Sequence, residues 1–154
     1  MLKHKIAFAA ALMTAAAFAQ PSASAAETVL RGASCFPKGQ FFSLRFEKFI
    51  DEVNAQGKGV VQIQYVGGAP AIGSPLAVEQ KVAQGVYDIS SCTGAYYQNV
   101  VPEADAWKLL EKTPTEIRAN GGWALMEKIH REKNLLPLAR VNCPCVFNGL
   151  WSSS

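Results

Sequence analysis

The 154-residue chain is 49% hydrophobic and 18% charged, which excludes disorder throughout, since disordered chains are poorer in apolar groups and richer in charge. Fifteen Lys and Arg against twelve Asp and Glu leave a net +3; once Lys3 and Lys5 are set aside with a segment expected to be removed, thirteen bases face twelve acids. No basic stripe remains, so an electrostatic nucleic-acid binder is excluded, and the length permits one ordinary domain or one lobe and part of a second.

Residues 1–25 read as a secretory signal peptide. Lys3, His4 and Lys5 form a basic start, Ile6 to Phe18 an apolar run, and Ala23-Ser24-Ala25 a small-residue cleavage site. The run breaks at Gln20, Pro21 and Ser22, short of the roughly 20 apolar residues of a membrane span. With no twin Arg ahead of it and no Cys at the cleavage site, export by the general route into a periplasm is expected. Thr28 to Ala33 then predicts a short strand, and Ser34 to Gln40 a loop. Phe42, Phe46, Phe49, Ile50 and Val53 share one face of a helix that ends near Gly57. Val61, Ile63 and Tyr65 alternate with glutamines, the pattern of a strand buried on one face and suited to a sheet edge.

After a loop at Gly67 to Gly73, Ser74-Pro75 caps a helix reaching about Gln84, and Val86 to Ser91 predicts a third strand. Thr93 to Tyr97 opens a turn or short helix. Thr113-Pro114-Thr115-Glu116 is a capping box for a helix to about Glu132, with Ile117, Gly121, Ala124, Leu125 and Ile129 inward; Leu136 to Val141 predicts a fourth strand. This order implies an α/β fold with a mainly parallel sheet and helices on both faces. Ligands in such folds lie beyond the carboxyl ends of the strands, where the loops Ser34 to Gln40, Gly67 to Gly73 and Cys92 to Tyr97 belong.

Enzyme constellations lack parts. After cleavage the single histidine is His130, flanked by Lys128, Arg131 and Glu132, which reads as a solvated surface residue. No GxSxG elbow exists, and Gly68 to Gly73 mimics a phosphate loop without its lysine. Asp51-Glu52 and Glu103 with Asp105 read as structural. The four cysteines have no framework spacing: Cys35 and Cys92 lie far apart, and Cys143-Pro144-Cys145 is neither a comfortable bridge nor a CxxC motif. No metal or other cofactor is expected. Tyr96 and Tyr97 beside Gly94 offer a hydroxyl and an aromatic wall to a small ligand.

The succession TVLRGASCFPKGQFFSLRFEKFIDEVNAQGKG, VVQIQYVGGAPAIGSPLAVEQKVAQGVYDIS, the run Ser91 to Glu111 with Cys92 read as an insertion after Ser91, and ANGGWALMEKIHREKNLLPLARV resembles the solute-binding subunits of TRAP (tripartite ATP-independent periplasmic) transporters, the C4-dicarboxylate-binding protein family. The resemblance covers Val29 to Val141, with Gly85 to Ile89 (GVYDI) its most distinctive stretch. It implies a two-lobed periplasmic-binding-protein-like fold that closes on a small organic anion, dicarboxylate-like, and hands it unchanged to TRAP permease membrane subunits. Residues 26–141 would be the N-terminal lobe with the start of the connection to the second, and 142–154 an atypical, truncated tail.

By the same resemblance Cys35 and Thr93 offer polar contacts to the ligand and the loop holding Gly68 lies at the cleft rim. The family's carboxylate-clamping arginine would fall near Gly149 to Trp151, where there is none. The candidate ligand contacts are therefore Cys35, Lys38, Gly68, Thr93, Gly94, Tyr96, Asn148 and Trp151. A Cys35–Cys92 bridge across adjacent strands would narrow the pocket. The rival readings are a secreted thiol or redox protein using Cys143 and Cys145, and a fragment that binds nothing.

Overall fold

The computed structural model describes residues 26–109, 111–141 and 148–153. Its strands are β1 Thr28–Ser34, β2 Val61–Gly68, β3 Ile89–Thr93, β4 Leu135–Val141 and β5 Asn148–Ser153, and its α-helices are α1 Phe41–Gln56, α2 Val78–Ala83, α3 Pro114–Ala119 and α4 Gly122–Arg131. One sheet runs in the order β2-β1-β3-β5-β4. β1 pairs in parallel with both β2 and β3, whereas β5 is antiparallel to both β3 and β4. Four strands thus run one way and β5 alone the other. The sheet is mainly parallel as expected, and the stretch expected to be atypical supplies a strand inserted between the third and fourth.

Helices cover both faces. Phe46 and Ile50 of α1 pack on Ile63 and Ile89 on one side; on the other, Val78 and Val82 of α2 and Met126 of α4 join Ala33, Cys92, Tyr97 and Leu135 in the larger core. β2 is an edge strand, as its alternation implied. Its outward backbone is covered from α1: Asn54 Oδ1 accepts from the Ile63 N–H at 2.7 Å, and Asn54 Nδ2 donates to the Ile63 carbonyl at 3.0 Å. At the opposite edge, β4 carries Pro137 and a register shift before Ala139. An edge strand tolerates proline, and the shift turns the side-chain alternation over, so Leu135 reaches one core and Ala139 the other.

Two expected elements differ. The third strand begins at Ile89 rather than Val86, because the Val86 and Tyr87 N–H groups bond to Lys81 O and finish the turn after α2; sheet pairing starts with Asp88 N–H on Arg31 O. The single helix expected from Pro114 to Glu132 is two. Its capping box forms as read, with Thr113 and Glu116 each bonding the other's backbone N–H, but Gly121 takes φ 82° and breaks the helix. That break resets the helical phase. The buried face of α4 is Trp123, Met126 and His130, while Leu125 is 59% exposed.

A disulfide joins Cys35, just after β1, to Cys92 in β3, with Cα atoms 5.0 Å apart. It closes a 57-residue separation, for which chain entropy alone gives a stabilisation of about 4 kcal/mol.

Candidate functional site

The carboxyl ends of β1, β2 and β3 come together at one edge of the sheet. Ser34 is paired with Gly68 on one side and with Ser91 on the other, so the three chains leave the sheet side by side. Their loops enclose a cleft of about 300 Å³ lined by Cys35, Phe36, Pro37, Gln40, Phe42, Ala69, Pro70, Pro75 and Tyr96. The Ala69–Pro70 peptide is cis. Phe36 packs against Phe42 at 5.1 Å between ring centroids and against Tyr96 at 5.5 Å. The cleft is largely apolar, with Gln40 and the Tyr96 phenol as its polar side chains, and none of its lining residues is charged.

The sequence-derived residues divide on this geometry. Cys35 and Tyr96 line the cleft together, but Cys35 is bridged and offers no thiol. Thr93 ends β3 at the same edge, paired with Asn148, and is not part of the lining. Lys38 lies elsewhere: its Nζ stands 5.7 Å from the Tyr65 ring centroid, beside the groove between α1 and β2. Gly68 and Gly94 are needed for packing. A Cβ on Gly68 would fall on the Phe36 carbonyl, and one on Gly94 on the Ala104 carbonyl; both spaces are filled by the protein's own backbone. Asn148 and Trp151 have their backbones in β5, opposite Thr93 and Ser90, with side chains outside the description. Residues 1–25, Cys143 and Cys145 lie outside the described residues. Gln40, Phe36, Phe42 and the prolines Pro70 and Pro75 line the cleft without being among the sequence-derived residues, although the loops predicted there hold most of them.

The distinctive GVYDI stretch is structural. Asp88 receives a fork from Arg31, Nε to Oδ2 at 2.9 Å and Nη2 to Oδ1 at 3.0 Å, and the Arg31 backbone N–H also donates to Oδ2 at 2.7 Å. Gly85 O accepts from Arg31 Nη2 at 2.7 Å. These bonds hold the Asp88 carboxyl below its usual range and tie the start of β3 to β1.

Two buried polar groups were not anticipated as such. His130, expected on the surface, is fully buried in the larger core's surroundings: its Nδ1–H donates to Met126 O at 2.7 Å, which leaves Nε2 to accept the Tyr97 hydroxyl at 3.2 Å. Burial holds its pKa below that of a free histidine. Glu79 of α2 is also fully buried. Ser90 Oγ donates to its Oε1 at 2.5 Å, and burial raises its pKa to about 8, so the carboxyl is protonated at neutral pH.

No family model matches the chain. Among solved structures, it superposes on a TRAP periplasmic solute-binding protein from Roseobacter denitrificans with bound β-D-glucuronate (TM-score 0.58, 20% identity, 74% of this chain and 39% of that one). It also superposes on an extracytoplasmic solute receptor from Bordetella pertussis binding pyroglutamic acid (TM-score 0.56, 19% identity, 73% and 38%). A TRAP periplasmic solute-binding protein from Polaromonas sp. JS666 bound to D-erythronate gives TM-score 0.55 at 20% identity over 74% and 39%. The fold is that of the TRAP periplasmic solute-binding proteins. The chain spans about two-fifths of the length of these solved TRAP proteins (39% and 38%). The ligands of the three are a uronate, a lactam acid and a sugar acid.

Proposed function

We propose that this chain contributes the first wall of a periplasmic cleft that captures a small organic acid for a TRAP permease, without chemistry on the ligand. The observation that carries the reading is the cleft itself, which opens beyond the carboxyl ends of three parallel strands in a fold of which the three solved examples named above hold monocarboxylic acids. A hydroxylated monoacid suits the lining better than a dicarboxylate, because Gln40 and Tyr96 can meet hydroxyl or carbonyl oxygens while no lining residue is a cation. A buried carboxylate needs a charge-assisted, bidentate partner to offset its desolvation. That partner must come from outside these lining residues.

The test is calorimetry with glucuronate, erythronate, pyroglutamate and succinate, on this chain and on the chain joined to the complete second lobe of a solved relative. Binding that is weak for the chain alone and strong for the joined form is expected, with the monoacids preferred. No binding by either form, in the presence of a native circular-dichroism spectrum, overturns the reading. Export is part of the same proposal, and the intact mass of the periplasmic product is expected to correspond to cleavage within a residue or two of Ala25.

A further inference from the structure

We propose that, when the Cys35–Cys92 bridge is reduced, its two sulfurs and the Glu79 carboxylate form a binding site for a soft divalent cation of the zinc class. The ligand atoms of Cys35, Glu79 and Cys92 all lie within 4.8 Å of one another, and all three residues are buried. Around one zinc ion, with Zn–S about 2.3 Å and Zn–O about 2.0–2.2 Å, tetrahedral ligand atoms stand roughly 3.3–3.8 Å apart. Separating the two sulfurs by that much takes side-chain rotation rather than movement of the sheet.

The carboxylate points to the same site by a separate route. Ser90 Oγ is fixed on Oε1, while Oε2 has no hydrogen-bond partner among the described residues. A buried polar oxygen without a partner is costly whether or not it carries the carboxyl proton, and a cation against Oε2 removes that cost. The Ser90 bond would meanwhile hold the carboxylate in one orientation, as partners of metal-ligating carboxylates do. His130 and Tyr97 do not join the set, being bonded to each other and to Met126. Three protein ligands leave one coordination position, and Cys35 lines the cleft, from which water or a small ligand can fill it.

The chemistry balances with a dithiol as reductant. Its two thiols become a cyclic disulfide, the Cys35–Cys92 S–S bond breaks, and the two protons and two electrons appear as two cysteine thiols. Because a cation binds thiolates and a carboxylate rather than their protonated forms, its binding is expected to release protons and to weaken as pH falls. Two thiolates and one carboxylate are neutralised down to a single net negative charge by the dication, which the oxidised pair cannot match because it has no ionisable sulfur.

The experiment uses the mature chain with Cys143→Ser and Cys145→Ser, reduced with a dithiol, freed of it without air, and titrated with cadmium and then zinc ions. One cadmium per chain is expected, with an ultraviolet thiolate-to-metal charge-transfer band in the reduced form and none in the oxidised form. Glu79→Gln, which keeps the shape of the side chain, is expected to weaken binding at least tenfold, while its oxidised form keeps a native near-ultraviolet spectrum. Absence of the band in the reduced chain, or Glu79→Gln binding cadmium as tightly as the parent, overturns the proposal. A reduced chain that unfolds and is not restored by the ion overturns it equally. The outcome is independent of organic-acid binding, which the oxidised chain reports separately.

Discussion

At the scale of single residues, the polar groups inside the core decide the response to pH. Glu79 has a folded pKa of about 8 against an ordinary 4.5, so between those values the folded protein binds a proton that the unfolded chain has lost. Its contribution is therefore fully present below about pH 4.5, falls as pH rises towards 8, and is gone above. The slope amounts to roughly 1.4 kcal/mol per pH unit at its steepest. His130 acts in the other direction, since its depressed pKa favours the neutral form and costs stability as pH falls below the ordinary histidine range. Glu79→Gln is expected to flatten the loss between pH 5 and 8, measured by urea unfolding at several pH values; an unchanged slope would show that the carboxyl is ionised in the core. Gly68 acts sterically. Gly68→Ala places a Cβ on the Phe36 carbonyl, and a main-chain atom cannot rotate aside, so a loss of about 3 kcal/mol or more is expected in the same urea assay.

At the scale of elements, the periodic signals carried the reading. α1 and β2 sit where Phe42 to Val53 and Val61 to Tyr65 placed them, and the capping box at Thr113 starts a helix. The errors have local causes: Gly121 adopts a left-handed backbone that divides one apolar stripe into two helices, and Val86 is spent on closing α2. Asn54 illustrates a device with no periodic signature. By bonding both outward backbone groups of Ile63 it occupies the ladder positions that an incoming strand would use on β2. Asn54→Ala is expected to cost about 1–2 kcal/mol and to increase self-association, read by light scattering against concentration. A variant that loses stability yet self-associates no more than the parent would assign Asn54 to packing alone.

At the scale of the whole molecule, β5 completes the sheet. β4 pairs with β5 and with no other strand among those described, and β5 in turn fills the open side of β3. A chain ending at Val141 leaves β4 with no partner and the carboxyl end of β3 with an open edge, so it is expected to lose its cooperative unfolding transition and to aggregate. A sharp transition with the parent's midpoint in that shortened chain would show that β5 adds nothing to the fold.

Amino-acid order alone determined the α/β class, the alternation of strands and helices, the edge position of β2 and the set of loops around the cleft, because those follow from local periodicity, caps and turn residues. The resemblance to the TRAP solute-binding proteins likewise rested on the whole succession rather than on any single motif. Tertiary structure alone decided which side chains face the cleft: Lys38 sits three residues after Cys35 yet points to another groove, and Gly68 and Gly94 serve backbone packing. It also decided the Cys35–Cys92 pairing, the burial of His130 and the placing of Glu79 beside the two sulfurs. A polar residue on an amphipathic helix carries the same local signature whether it meets water or a buried hydroxyl. The difference lies in what another segment, tens of residues away in sequence, brings against it.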